Sequence, residues 1–460
     1  MSCFERIWVG LIVLMAVPLW SQVNNAPQSG AGALGSDSSA SSSDDRMATP
    51  PPVSGQTYPT ATASEDRSNY LSGGITFTSA YTDNALGAVS NHPVSDISYS
   101  VAPTIALDER TSRLHWMLSY APGFTFYQRE SSRNEADHNA TIDFQYRLSP
   151  HVTFSARDTF QKSSNVFNQP NLSSAEAVSG SATGANFSII APVADRLGNS
   201  GNVGLSYQFS RNGMIGASGT FSNLHYPNPT EVPGLYDSSS QGGSAFYSLR
   251  ISKMHYIGAT YQYQRLVSYP TQGLAETQTH ALLFFYTLYP TLRFSISFFG
   301  GPQHSDTIQP PLPPLNLQLP EARAWTPEAG ASLSWQGRLS SLAVSYSHAV
   351  SSGGGLSGAV QMDSASASVR QQLTKTLNAS LGGGYTQNDV LSSSLPGGTG
   401  GHTVSGTASL QQQLGQHLSL QLGYTRLHQV YSNVAVLSLT PDTNREFVSL
   451  SYQFSRPLGR

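Results

Sequence analysis

The chain has one cysteine, Cys3, so once the first residues are set aside there is no thiol for a disulfide, a redox centre or a thiolate metal site. Charge is scarce too. Charged residues are 11 % of the 460 positions, where a water-soluble protein carries about a quarter. A surface bathed in water on every side would need more. Beyond the N-terminus no run of about 18 apolar residues occurs, so no downstream helix can span a membrane. With a net charge of -3 and no cluster of Lys and Arg, the chain offers no phosphate footprint, and no nucleic-acid partner is expected.

Catalytic patterns are missing as well. The twelve histidines are scattered, and there is no zinc-protease motif, phosphate loop or Gly-x-Ser-x-Gly elbow. His348 beside Ser345 and Ser347, and His402 near Ser405, come closest to a pair, as chance provides in so serine-rich a chain. No enzyme, cofactor or metal site is expected.

What is present is a repeat. From about Ile75 to Phe454, strand-length runs with apolar residues at every second position are joined alternately by a very short turn and a long polar loop. In Ala140 to Gln161, Ile142, Phe144, Tyr146 and Leu148 share one face, Ser149-Pro150-His151 turns, and Val152, Phe154 and Ala156 resume that face. Thr141, Asp143, Gln145, Arg147, Thr153, Ser155, Arg157 and Thr159 take the other. Successive strand side chains point to opposite sides, so each hairpin has one apolar and one polar wall. A soluble sandwich also alternates, but the low charge and the aromatics, 10 % of residues with Tyr (22) ahead of Phe (19), favour a membrane barrel. Tyr81, Tyr120, Tyr289 and Tyr424 sit near strand ends in the apolar frame, where barrels carry interfacial girdles.

Residues 1–22 read as a secretory signal: an apolar stretch, Ile7 to Leu19, behind Arg6, with cleavage near Ser21 or Gln22. Cys3 lies in the part to be removed, on the wrong side of the apolar run for a lipoprotein cysteine. Residues 23–67, rich in Ser, Pro and Ala, are expected to form a disordered tail, either a periplasmic tether or an unselected leader. Residues 68–460 form the barrel. Tight connections near Asp108 to Ser112, Ser149 to His151, Ser210 to Gly213, Lys253 to His255, Tyr289 to Thr291, Gln336 to Arg338, Thr374 to Thr376 and Gly415 to His417 interleave with longer segments. The fold class is therefore all-β, a transmembrane antiparallel up-and-down barrel of about 18 strands (16–18), with both chain ends on the tight-turn, periplasmic side.

A barrel of about 16 to 18 strands encloses an aqueous channel. The outward frame holds Leu114, Trp116 and Leu118; Val203, Leu205 and Tyr207; Leu292, Phe294, Ile296 and Phe298; Leu418, Leu420 and Leu422; and Val448, Leu450, Tyr452 and Phe454. The inward frame supplies pore-lining candidates: Asp143, Arg147, Arg157, Arg250, Arg293, Arg370, Gln372, Gln411, Gln413 and Gln421. The arginines either favour anions and sugar hydroxyls or pair with carboxylates such as Asp143. Inward aromatic candidates for a sugar slide are Phe246, Tyr256, Phe284, Tyr286, Phe299 and Phe447. Ala281 to Leu288 is apolar on both faces, which calls for cover by a loop or the tail, for a neighbouring barrel, or for a shifted register.

Tyr146-Arg147-Leu148-Ser149-Pro150, Gln372-Leu373-Thr374-Lys375-Thr376-Leu377, Gln413-Leu414-Gly415-Gln416-His417-Leu418 and Ser449-Leu450-Ser451-Tyr452-Gln453-Phe454 resemble strand-turn-strand phrases of bacterial outer-membrane β-barrel proteins of the porin type, nearest to the exopolysaccharide-associated porin-like family. The resemblance covers about Ser68 to Phe454. It implies a place in the Gram-negative outer membrane, contact with outer-membrane lipid, and recognition of the last strand at Phe454 by the barrel-assembly machinery, although six residues follow that aromatic here. Two functions are expected: a channel for small hydrophilic solutes or an exported polysaccharide, or a non-transport barrel whose long loops bind surface or envelope partners.

Overall fold

The computed structural model describes residues 68–85, 93–163, 189, 195–271, 273–291, 293–309, 321–391, 400–432, 434 and 442–458. The expected signal and tail, Cys3 and Leu292 lie outside them. Eighteen strands follow one another: β1 (Ser68–Thr82), β2 (Asp96–Arg110), β3 (Leu114–Tyr127), β4 (Glu135–Arg147), β5 (Val152–Ser163), β6 (Arg196–Tyr207), β7 (Gly213–His225), β8 (Ser238–Arg250) and β9 (His255–Ser268). The second half comprises β10 (Ala275–Thr291), β11 (Phe294–Ile308), β12 (Ala322–Gln336), β13 (Ser340–Ser351), β14 (Val360–Gln372), β15 (Leu377–Val390), β16 (Gly400–Gln413), β17 (Leu418–Tyr431) and β18 (Asp442–Pro457). No α-helix occurs among the described residues.

Each strand pairs antiparallel with its sequence neighbours, and β18 pairs with both β17 and β1, so the sheet closes on itself. Closure satisfies the backbone groups that an open edge would leave bare in lipid. Tight connections at 111–113, 148–151, 208–212, 251–254, 292–293, 337–339, 373–376 and 414–417 lie at one end, with both barrel termini. The connection expected at Tyr289 to Thr291 falls later, because β10 runs on to Thr291. The longer connections share the other end.

The concave side of a closed sheet is the crowded one, and burial alternates accordingly. On β17, Leu422 and Tyr424 are exposed while Thr425, Gln429 and Tyr431 are buried. The outer face carries Leu118, Ile142, Leu205, Phe298 and Leu450 as a band. Tyr146, Tyr207, Trp335 and Tyr452 flank it towards the tight turns, and Tyr81, Tyr120, Tyr346 and Tyr424 towards the loops. These are the two interfacial girdles of a transmembrane barrel. Strands of 12 to 17 residues exceed the roughly 9–11 that a tilted strand needs to cross a bilayer. The excess lies at the loop end, where outward side chains turn polar and pair: Arg265 with Glu276 (2.7 Å), His348 with Asp363 (2.7 Å) and Arg426 with Asp442 (3.1 Å).

A packing device recurs in the wall. Phe246 opposes Gly216, Phe285 opposes Gly258, Phe299 opposes Gly330 and Phe447 opposes Gly423, all on the inner face. Each ring fills the space that a Cβ on its glycine would take. An aromatic laid over a cross-strand glycine covers bare backbone and lets the wall bend. Gly258→Val would drive two methyl groups into the Phe285 ring and the Tyr247 carbonyl. It should cost about 1–3 kcal/mol as overpacking, read as a lower denaturant midpoint. Phe285→Leu in the same background should recover part of the loss.

Ala281 to Leu288 is apolar on both faces in the structure as well. Leu282 and Phe284 face outward, whereas Ala281, Leu283 and Phe285 are buried together with Phe299. The cover sought for its inner face is at least partly the wall itself.

Candidate functional site: the lumen and its mouth

Period-two alternation inside a closed cylinder gathers hydroxyls on the inner face, and antiparallel register sets them opposite one another. Thr76–Ser451, Thr78–Ser449, Ser218–Ser244, Ser345–Ser366, Ser347–Ser364 and Ser380–Ser409 are hydrogen-bonded across strands at 2.7–2.9 Å. Each hydroxyl keeps further donor or acceptor capacity for water or solute.

The ten candidate residues fall in two groups. Asp143 on β4 stands directly opposite Arg157 on β5, and Gln411 on β16 opposite Gln421 on β17. These four share the inner frame, Asp143 and Arg157 at mid-strand and Gln411 and Gln421 close to the turn that joins β16 to β17. Arg147 and Arg250 end β4 and β8, Arg370 lies near the end of β14, and Arg293 lies in a tight turn. The Arg250 Nε–H donates to the Asn212 carboxamide oxygen (3.1 Å). Gln372 and Gln413 fold back on turns, donating to the carbonyls of Lys375 (3.4 Å) and Gly415 (2.8 Å). Four of the five candidate arginines thus collect at the tight-turn end, and Arg157 lies at mid-strand. Arg157 and Arg370, on nearly opposite walls, are exposed.

Carboxylates are not absent from this frame. Asp96, Glu135 and Asp137 occupy its loop half on β2 and β4, and Asp108, near the turns, accepts from the His115 ring (3.1 Å) if that nitrogen carries the proton. The inner frame thus carries both signs, since Arg196 and Arg445 are buried in its loop half on β6 and β18.

Three aromatic expectations are corrected. Phe284 and Tyr286 belong to the outward frame, Phe284 being 58 % exposed, and Tyr289 points inward to pack edge-on against Tyr256 (ring centroids 5.5 Å apart). With both faces of β10 apolar, polarity could not tell its inside from its outside. Phe246, Tyr256 and Phe299 do face inward but are buried, so they brace the wall and offer no slide to a solute. The two serine–histidine approaches also separate: Ser345, Ser347 and Ser405 take the inner frame, while His348 and His402 take the outer one.

The largest feature without a sequence signature lies at the loop-end mouth. Ile189, Tyr226, Val232, Leu235, Leu356 and Val434, from four different long connections, are buried together with Leu224, Val360, Met362 and Tyr431 of the wall. These elements come from well-separated parts of the rim. The Tyr236 N–H donates to the Gly355 carbonyl (2.7 Å), and the Asn388 amide donates to the Tyr431 hydroxyl (2.7 Å). Gly354 and Gly355 have φ of 60° and 113°, and a Cβ on Gly355 would stand 2.8 Å from the Tyr226 hydroxyl. Only glycine suits that bend. Burial pushes the Tyr226 hydroxyl up to about 12, with nearby Arg196 opposing the rise, so it remains a neutral donor at physiological pH. Arg196 is itself buried and donates to the Ile189 carbonyl (3.0 Å).

No protein-family model and no curated relative matches the chain. Solved structures with a similar course include the ferric citrate transporter FecA in its unliganded form (TM-score 0.42, 11 % identity), with 80 % of this chain aligned to 61 % of that one. Acinetobacter baumannii OccAB4 (TM-score 0.41, 9 % identity; 85 % and 98 %) and Pseudomonas aeruginosa OccK2 in complex with glucuronate (0.41, 10 %; 84 % and 98 %) are others. The chain spans less than two thirds of the FecA length. At such scores the fold assignment rests on the closed strand order itself.

Proposed function

We propose that this protein is a bacterial outer-membrane channel for small hydrophilic solutes, closed at rest by its own loops. The observation that carries the reading is the ladder of paired hydroxyls on the inner face of a cylinder whose outer face is apolar between two aromatic girdles. A wall of this kind offers hydrogen bonds to water and to sugar-like solutes without a site tight enough to hold them, as conduction requires. A polysaccharide strand is the larger cargo that the same wall would suit.

Arg157 and Arg370 give the passage a preference for anions. Rings of basic side chains lower the barrier for negative ions, and the preference fades with salt because charges are screened over about 8 Å at physiological strength. Substituting both arginines by glutamine should move the reversal potential in a salt gradient towards zero. An unchanged potential would show that the arginines do not set selectivity.

The buried loop cluster favours a second reading, a non-transport barrel whose loops bind surface or envelope partners. The two readings part on one measurement: uptake through the chain once the cluster is disrupted. Uptake that rises supports the channel, and none at all supports the binding barrel.

A further inference from the structure

The tight turns carry a pattern that conduction does not use. Arg113, Arg211, Lys253, Arg293, Arg338 and Lys375 stand exposed in six different turns, and the remaining two hold His151 and His417. No Asp or Glu occurs within any of the eight turns. Of the two acids at the adjoining strand ends, Asp108 meets His115 and Glu109 accepts from the Trp116 indole (2.7 Å). At the loop end Arg265, Arg323 and Arg426 pair with carboxylates.

Each base has an apolar companion in most of these turns. Phe209-Ser210-Arg211, Ile251-Ser252-Lys253 and Leu373-Thr374-Lys375 repeat one order: apolar residue, hydroxyl, base. The apolar member continues the outward frame of its strand and is 45 %, 61 % and 54 % exposed. The hydroxyl braces the turn: Thr374 Oγ1 accepts from the Leu377 N–H (3.0 Å) and Ser252 Oγ from the Met254 N–H (3.2 Å). The base stands exposed at the tip. A side chain reaching the acyl boundary beside a cation at headgroup level is the arrangement of an interfacial anchor.

We propose that the tight-turn rim is a docking surface for anionic phospholipid headgroups, with apolar residues such as Phe209, Ile251 and Leu373 at the acyl boundary and the turn bases against lipid phosphates. The inference rests on the membrane-spanning reading of the barrel. Bases spread over turns from β2 to β15 ring much of the circumference. A leaflet surrounds such a ring, whereas one soluble polyanion reaches only an arc of it and has no use for the exposed Phe209, Ile251 and Leu373.

The test uses the outward-facing tryptophans Trp116 and Trp335 near this rim as reporters. The full chain is folded into phosphatidylcholine vesicles containing brominated phosphatidylglycerol or brominated phosphatidylcholine at equal mole fraction, and fluorescence quenching gives the relative association of the two lipids. Phosphatidylglycerol should be preferred at least threefold at low salt and close to onefold in 1 M salt. Gln at Arg113, Lys253, Arg293, Arg338 and Lys375 together should bring the low-salt ratio near unity. Equal quenching by the two lipids in the unsubstituted chain overturns the proposal, and so does a preference that survives high salt, a reading that needs no variant. A preference abolished by millimolar inorganic phosphate would mark simple anion sites and overturn the lipid assignment. Absence of quenching by either lipid would instead defeat the membrane reading on which the proposal rests.

Discussion

Leu420→Arg should destabilise the barrel by about 2–4 kcal/mol and impair its assembly, the usual cost of a cation on the lipid face near mid-depth. Ser419→Arg, one residue away, should be nearly neutral for folding. Both positions lie on β17, and both oppose residues of β18, Leu420 facing Leu450 and Ser419 facing Ser451. The difference is the side of the wall each reaches. Leu420 belongs to the outward frame that includes Leu422 and Tyr424, within the apolar band, whereas Ser419 reaches a lumen that hydrates a guanidinium. Heat-modifiable mobility on gels and the denaturant midpoint would measure both. Equal damage at the two positions would mean that the strand does not separate lipid from water.

Leu356→Asp should open the mouth. Leu356 is fully buried at the centre of the loop cluster, where truncation of a leucine alone costs about 2–5 kcal/mol. A carboxylate there must also be hydrated, which the cluster allows only by coming apart. Since about 1.4 kcal/mol changes an equilibrium tenfold, the open population should rise by one to three orders of magnitude. The strand ladders do not pass through Leu356, so the barrel itself should stay folded and heat-modifiable. Liposome swelling in small sugars should then speed up about tenfold or more over the unsubstituted chain. Swelling that stays the same, with the barrel intact, would show that the cluster is not the barrier.

The barrel was legible in the sequence because its signals are local and periodic. Eight short turns and nine longer connections can be counted along the chain, and alternation in segments such as Ala140 to Gln161 reports the two walls wherever one is apolar and the other polar. On β10 that contrast vanishes, since Leu283 and Phe285 face inward while Leu282 and Phe284 face outward. For that reason polarity does not set the frame of Phe284, Tyr286 or Tyr289. The glycine–phenylalanine pairs are local in space but need a cross-strand register, such as Gly258 against Phe285, that no single strand contains. The mouth cluster is less legible still. Tyr226 and Gly354 are 128 residues apart, and the loops that carry them have neither period nor motif. The placing of the basic candidates lay between these cases. Arg147, Arg250 and Arg293 could be assigned a frame from the sequence, but their gathering at the tight-turn end follows from where the strands stop.

The central claim, a solute passage through a polar lumen behind a loop-built gate, is tested most directly by single-channel recording in planar bilayers with the folded full chain and with Leu356→Asp. The account predicts step-like, anion-preferring currents, rare in the unsubstituted chain and frequent in the variant. Silent membranes with both proteins, when gel mobility shows that both barrels are assembled, would contradict it.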